Sequence, residues 1–287
     1  MIIPNEIMEG AFRYGDTQTV LRFLDEGGDV NAFDCHGSTL LVQSAHYSQV
    51  ELCRELLARG ADPNIRSNDV EMVSPLCLAT TVADGGANPV AFHPPGAAWS
   101  ATPSGKLFQI LVESGADLNA CTTFGWGGDV MSYRIKGIGT LLARCLMYFD
   151  RRKQDDHSLL LEIVTALLRA GARLDSIFKD SASVDFYDAE DCLEQALEED
   201  SRLEDDEHFI KARELIVGIQ EDGSFKRFMR RPHREVLRLR FLVSRGRAKP
   251  KKWSPRGHDR RAIEFLVNPN VPNEVVWKIL SFWRAST

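Results

Sequence analysis

A five-residue signature recurs along the chain at a fixed offset. Gly27-Gly28-Asp29-Val30-Asn31 returns as Gly60-Ala61-Asp62-Pro63-Asn64, 33 residues later. It returns again as Gly115-Ala116-Asp117-Leu118-Asn119 and Gly171-Ala172-Arg173-Leu174-Asp175, at steps of 55 and 56. The longer steps are one 33-residue period carrying insertions of 22 and 23 residues. A repeat this short cannot bury its apolar face alone, so copies must stack and cover one another.

The interior of each unit reads as two short helices. Leu52, Cys53, Leu56 and Leu57 fall at i, i+1, i+4 and i+5, one apolar stripe on a helix. Gly60 follows that stripe, where a left-handed helix cap costs little only for glycine. Ala45 is small and lets paired helices approach, and Asn64 opens the turn to the next unit.

From Gly37 the segment GSTLLVQSAHYSQVELCRELLARGADPN resembles the ankyrin repeat at matched spacing, with Thr39, Leu41 and Ala45 on the first-helix positions. Ser74-Pro75-Leu76-Cys77-Leu78-Ala79 is close to the same family's Thr-Pro-Leu-His motif, and Thr140-Leu141-Leu142-Ala143 opens a further unit. The resemblance implies an all-α solenoid of four to five helix-turn-helix repeats with loop insertions. The expected organisation is a repeat domain over 1–222, with repeats near 4–33, 34–66, 67–121 and 122–177 and a degenerate pair at 185–222. A small basic helical module then occupies 223–287.

Candidate contacts lie where the repeats turn. Phe33, His36 and Arg66 fall at finger tips, and Trp99 in the Gly/Pro-rich insertion of the third unit. Phe124 and Trp126 fall in an extended finger, Cys121 to Gly139. Aromatic and arginine side chains dominate interface hot spots. The insertion Arg151–His157 mixes charge signs and reads as a solvated loop.

The C-terminal module divides the charge. Residues 226–261 hold fifteen Lys/Arg against Glu235 and Asp259, whereas 185–207 hold twelve acids and the single base Arg202. The tract could dock on that acidic segment, bind an acidic partner or nucleic acid, or be read for nuclear import at Lys249-Pro250-Lys251-Lys252. Few aromatics stand ready to stack bases, which ranks nucleic acid low. The last apolar face, with Pro272, Val275, Ile279, Leu280 and Trp283, resembles the opening of an F-box and the F-box-like C-terminus of poxvirus ankyrin proteins. That resemblance implies docking on the adaptor of a cullin–RING ubiquitin ligase. The alternative is a helix that folds back and caps its own chain.

No catalytic pattern emerges. The seven histidines stand outside HExxH context, no GxSxG occurs, and the six cysteines form no CxxC pair. No catalytic residue, cofactor or metal is expected. Nor is a membrane span, since no run of about 18 apolar residues occurs. The reading is a monomeric, intracellular, cytoplasmic protein that binds another protein, with the nucleus left open.

Overall fold

The computed structural model describes residues 2–13, 16–68, 72–80, 103–126, 134–150, 154–180, 186–245, 265–266, 268 and 270–282. Two compact units divide the chain, Met1–Val217 and Gly218–Thr287.

The first unit is a succession of short helix pairs. Helix α1 (Asn5–Met8) runs into a π-helical turn, Glu9–Arg13, and is followed by α2 (Thr17–Asp25). Then come α3 (Leu40–His46) with α4 (Val50–Ala58), and α5 (Pro75–Thr80) with α6 (Pro103–Glu113). After a β-hairpin come α7 (Leu141–Met147) and α8 (Gln154–Ala170), then α9 (Ala189–Glu199) and α10 (Glu207–Asp222). Helix α3 packs on α4 within its pair and on α5 of the next. Helix α4 packs on α6, and α7 on both α8 and α9. First helices thus stack on first helices at α3–α5 and α7–α9, and second on second at α4–α6, as a 33-residue period requires.

Local chemistry starts and stops each helix. Thr39 Oγ1 accepts from the Val42 amide, Ser74 Oγ from Cys77 and Thr140 Oγ1 from Ala143, so one N-cap recurs at the head of three first helices. Second helices α2, α4, α6 and α8 each close on a signature glycine. Gly27, Gly60, Gly115 and Gly171 all have φ between 88° and 104°. The residue after each donates back into the helix it ends, as in Ala61 N to Leu56 O at 2.9 Å and Ala116 N to Leu111 O at 3.0 Å. This is the Schellman closure, and it satisfies carbonyls that the helix leaves bare.

The core lies between these pairs. Leu41, Ala45, Cys53, Leu56, Leu76, Ala79, Leu107, Leu111, Leu142, Leu146, Ile163 and Leu167 are all buried. Truncating one such leucine to alanine costs about 2–5 kcal/mol, because the close-packed neighbours relax little. Small side chains recur five residues after the capping hydroxyl. Ser44, Ala79 and Cys145 are each buried there, where first helices approach one another.

The class is helical, with one addition to the all-α expectation. Strands β1 (Cys121–Trp126) and β2 (Arg134–Thr140) form an antiparallel hairpin. Strands β3 (Phe178–Asp180) and β4 (Phe186–Tyr187) extend it to a four-stranded sheet in sequence order. The finger read as extended is therefore a paired ribbon. Its two strands pair locally, but β2 also pairs with β3 about 40 positions downstream, a distance over which side-chain periodicity carries no signal. One face of the sheet is covered: Thr122, Gly139 and Phe178 are buried along one row.

A second difference concerns Arg151–His157. Helix α8 begins at Gln154, and His157 is 5% exposed rather than solvated. Its ring packs on Phe149, with centroids 5.4 Å apart, and Phe149 also meets Phe209 edge-on. Charge mixing read this stretch as loop, but tertiary packing extends the helix upstream of its apolar stripe.

The second unit contains α11 (Phe225–Met229), α12 (Arg231–Ser244) and α13 (Asn273–Phe282). Pro232 sits in the first turn of α12, where its missing amide costs nothing. Leu266 and Val276 form a small core on which Val236, Val271 and Ile279 pack. Arg240 is buried beside them. Its guanidinium donates to the carbonyls of Leu266, Asn268 and Val271 and to Asn273 Oδ1. Four acceptors match the fork of donors that only arginine offers.

Candidate protein-binding surface

The signature asparagines join each repeat to its neighbour. Asn31 Oδ1 accepts from the Asp62 amide at 2.9 Å, and its Nδ2 donates to Gly60 O at 3.3 Å. Asn64 repeats this with Asp117 N and Gly115 O, at 2.7 and 3.2 Å. Asn119 Oδ1 accepts from Arg173 N at 2.9 Å. Each asparagine is oriented by the aspartate two residues before it, whose carboxylate accepts its amide. The fourth copy of the signature has Arg173 and Asp175 in place of this pair, so the chemistry of the ladder ends there.

The fingers are locked as well. Asp34 Oδ1 accepts from the His36 and Ser38 amides, which ties the first tip. The Asn68 amide donates to Gly37 O at 2.6 Å, so the first two fingers touch backbone to backbone. Gly37 has φ of 79°, and a Cβ there would lie 3.1 Å from the Asn68 backbone. Conformation and space both demand glycine.

On this scaffold Phe33 and His36 are exposed, with Phe33 bridged on either side to Ile2 and Thr39. Arg66 is exposed but engaged, since its Nη1 donates to Cys121 O at 2.5 Å. Phe124 and Trp126 lie in β1, paired with Gly137 and Arg134 of β2. Trp99 lies outside the described residues. In the second unit Pro272 and Val275 are exposed, Ile279 packs on the Leu266–Val276 core, and Leu280 belongs to α13. Trp283 lies outside the described residues, as does the basic stretch 246–261. Arg231 and Arg234, the described members of the basic tract with ion pairs, reach Glu221 and Asp222 at 2.6–2.8 Å. Arg234 and then Arg231 hold the Asp222 carboxyl below its usual range, against the effect of its burial.

The sheet's uncovered face was not anticipated from sequence. Thr123, Ile138, Lys179 and Phe186 form one row across all four strands, and Ile138 and Phe186 are 44% and 60% exposed. The second strand carries no period-two signal, because Ile135 and Ile138 are three residues apart. Strands β3 and β4 are too short to show any period.

One buried histidine–carboxylate pair deserves comparison with catalytic dyads. His157 Nδ1 lies 3.0 Å from Asp206 Oδ2, and both side chains are nearly inaccessible. Asp206 Oδ1 also accepts from the Phe209 amide at 2.8 Å, capping α10. The pair's geometry fastens α8 to the start of α10. Among the described residues no three His, Cys, Asp or Glu side chains are grouped to hold a metal ion. No described helix is long and apolar enough to cross a membrane.

Helix pairs with recurrent caps, stitched by a side-chain ladder and bearing hairpin fingers, define a helical repeat protein. The ankyrin repeat family model matches residues 36–68, which hold the finger from His36, helices α3 and α4, and the Gly60–Asn64 signature. The chain thus contains a segment, residues 36–68, that is similar to an ankyrin repeat. No curated protein matches it. Ankyrin repeats are, as a family, modules that bind other proteins.

Proposed function

We propose that this chain is a non-enzymatic scaffold that holds a partner protein on its finger surface. The reading rests on one observation. The exposed Phe33 and His36 sit on a finger whose backbone is fixed by Asp34 and by the neighbouring finger. Side chains presented on a rigid frame lose little entropy on binding, which is what an interaction surface needs. Arg66, Trp99, Phe124 and Trp126 complete the candidate contacts, and the repeats over 1–222 carry them. The test is retention of a protein from extract on the immobilised chain, identified by mass spectrometry. Phe33→Ser with His36→Ser should abolish retention while leaving the thermal midpoint unchanged. Equal retention by that variant would remove the finger surface from the proposal.

A second reading assigns the C-terminal module to recruitment of a cullin–RING ligase adaptor, with the repeats selecting a substrate. The exposure of Val275 on α13 and of Pro272 just before it favours it. Ile279 faces the module's own core, so Val275→Asp is a cleaner probe than any change at Ile279. Co-purification of the adaptor with the wild type and its loss in Val275→Asp support this reading. Absence of the adaptor from the wild-type preparation eliminates it.

A further inference from the structure

The uncovered face of the four-stranded sheet has an unusual order of side chains. Ile138 on β2, Lys179 on β3 and Phe186 on β4 are direct neighbours in register, and all three are exposed. Large apolar side chains paired on an antiparallel sheet normally mark its buried face. Here the buried face is the opposite one, carrying Thr122, Gly139 and Phe178. The exposed pair is therefore surplus to the fold. Lys179 stands between them with its Nζ 5.3 Å from the Phe186 ring centroid, and no ion pair engages it among the described residues. A cationic, apolar row is complementary to an acidic, apolar ligand.

Spacing narrows the ligand further. Ile138 and Phe186 are two strands apart, about 10 Å at ordinary strand separation. Seven residues of α-helix advance about 10.5 Å, and the residue midway lies about 5 Å along. We propose that this sheet face is the docking site for an acidic amphipathic helix of a partner protein. That helix lies across the strands with apolar residues at i and i+7 over Ile138 and Phe186, and a carboxylate at i+3 or i+4 over Lys179. The inference rests on the protein-binding reading above and deepens it, by naming the recognition chemistry of a surface separate from the Phe33–His36 finger. Burial of the two apolar side chains supplies contact area, and the shielded Lys179–carboxylate pair supplies selectivity.

The test uses the full chain and a fluorescein-labelled helical peptide of about 18 residues, long enough to hold helix on a surface. The peptide carries Leu at i and i+7 and Glu at i+3 and i+4 on an Ala/Gln background. A sister peptide carries Lys in place of both Glu. Fluorescence anisotropy should show the Glu peptide binding at least about fivefold more tightly than the Lys peptide. Lys179→Glu should reverse that preference, and Ile138→Ser or Phe186→Ser should weaken the Glu peptide by about fivefold or more. All three positions are exposed, so circular dichroism and melting should match the wild type and report loss of contact rather than of fold. Binding indifferent to these substitutions overturns the proposal, and so does no binding of the Glu peptide. Equal binding of a leucine-free polyglutamate overturns it too, because attraction would then be charge alone. Sedimentation that shows a wild-type dimer broken by Phe186→Ser also overturns it, because a second copy would then own the face. Any of these results with partner retention still lost in the Phe33/His36 variant sinks the sheet proposal and leaves the finger reading standing.

Discussion

Asn64 reaches across a repeat boundary to Asp117, accepting from its backbone amide at 2.7 Å, although 53 residues separate them. The same side chain donates to Gly115 O, so one amide group closes both free polar groups at the next repeat's turn. Asn31 does the same for Asp62 and Gly60. Repeats are therefore coupled by polar stitches at their turns as well as by apolar contact between helices.

Replacing Asn64 by Ala removes two hydrogen bonds at an exposed turn, where water can partly re-solvate the groups left behind. A loss of about 1–2 kcal/mol in unfolding free energy is expected, read from urea denaturation at unchanged slope. A variant as stable as the wild type would show that the ladder follows the stacking rather than supporting it.

The His157–Asp206 pair makes stability depend on acid. Burial raises the Asp206 pKa, but the Phe209 amide and His157 outweigh it and hold the carboxyl below its usual range. A depressed folded-state value means the ionised form stabilises the native protein. That contribution is complete above the unfolded aspartate value near 4 and is lost as pH falls through the lower folded value. Between about pH 5 and pH 2 the wild type should lose stability more steeply than Asp206→Asn. At pH 7 that variant should already be weaker by about 1–3 kcal/mol, having exchanged a charged acceptor for a neutral one. Parallel pH profiles would assign the acid sensitivity to other carboxylates.

Arg240 organises the C-terminal module through four acceptors. Lysine keeps the charge but cannot present two parallel donor pairs, so Arg240→Lys should leave at least two buried carbonyls unpaired. The expected cost is about 2–4 kcal/mol. Hydrogen exchange should quicken in α13 while amides of α3 and α4 keep their protection. Uniform change along the whole chain, or none, would contradict that role.

Cysteine reactivity should separate by burial. All six are free thiols. Cys53 lies against Ser44, and burial pushes its thiol up to about 12. Cys35 is exposed. A disulfide reagent at pH 8 should label Cys35 first and leave Cys53, Cys77, Cys145 and Cys192 untouched until denaturant is added. Mass spectrometry of the labelled peptides reads the order, and early modification of Cys53 would mean that α4 opens readily.

Much of the first unit was legible because its signals are short-ranged. A capping hydroxyl reads three residues ahead, a helical stripe repeats every third or fourth residue, and a closing glycine answers to the turn just before it. Thr39, Leu56 and Gly60 therefore declared their places, and the 33-residue period declared that the units stack. The candidate contacts were less legible. Arg66 reads as a free tip residue, yet its guanidinium is bound to the Cys121 carbonyl. Its partner lies 55 residues on, beyond any local pattern.

The sequence by itself determined the repeat, its helices and their caps, because those choices are made within one turn of chain and recur often enough to be recognised. Only the tertiary structure decided that His157 is buried against Asp206, that Arg240 grips the loop before α13, and that Ile138, Lys179 and Phe186 share one face. Each of these joins groups 26 to 49 residues apart or strands of two or three residues. Such contacts form only where packing has already brought distant segments together, and nothing in the neighbouring residues encodes that distance.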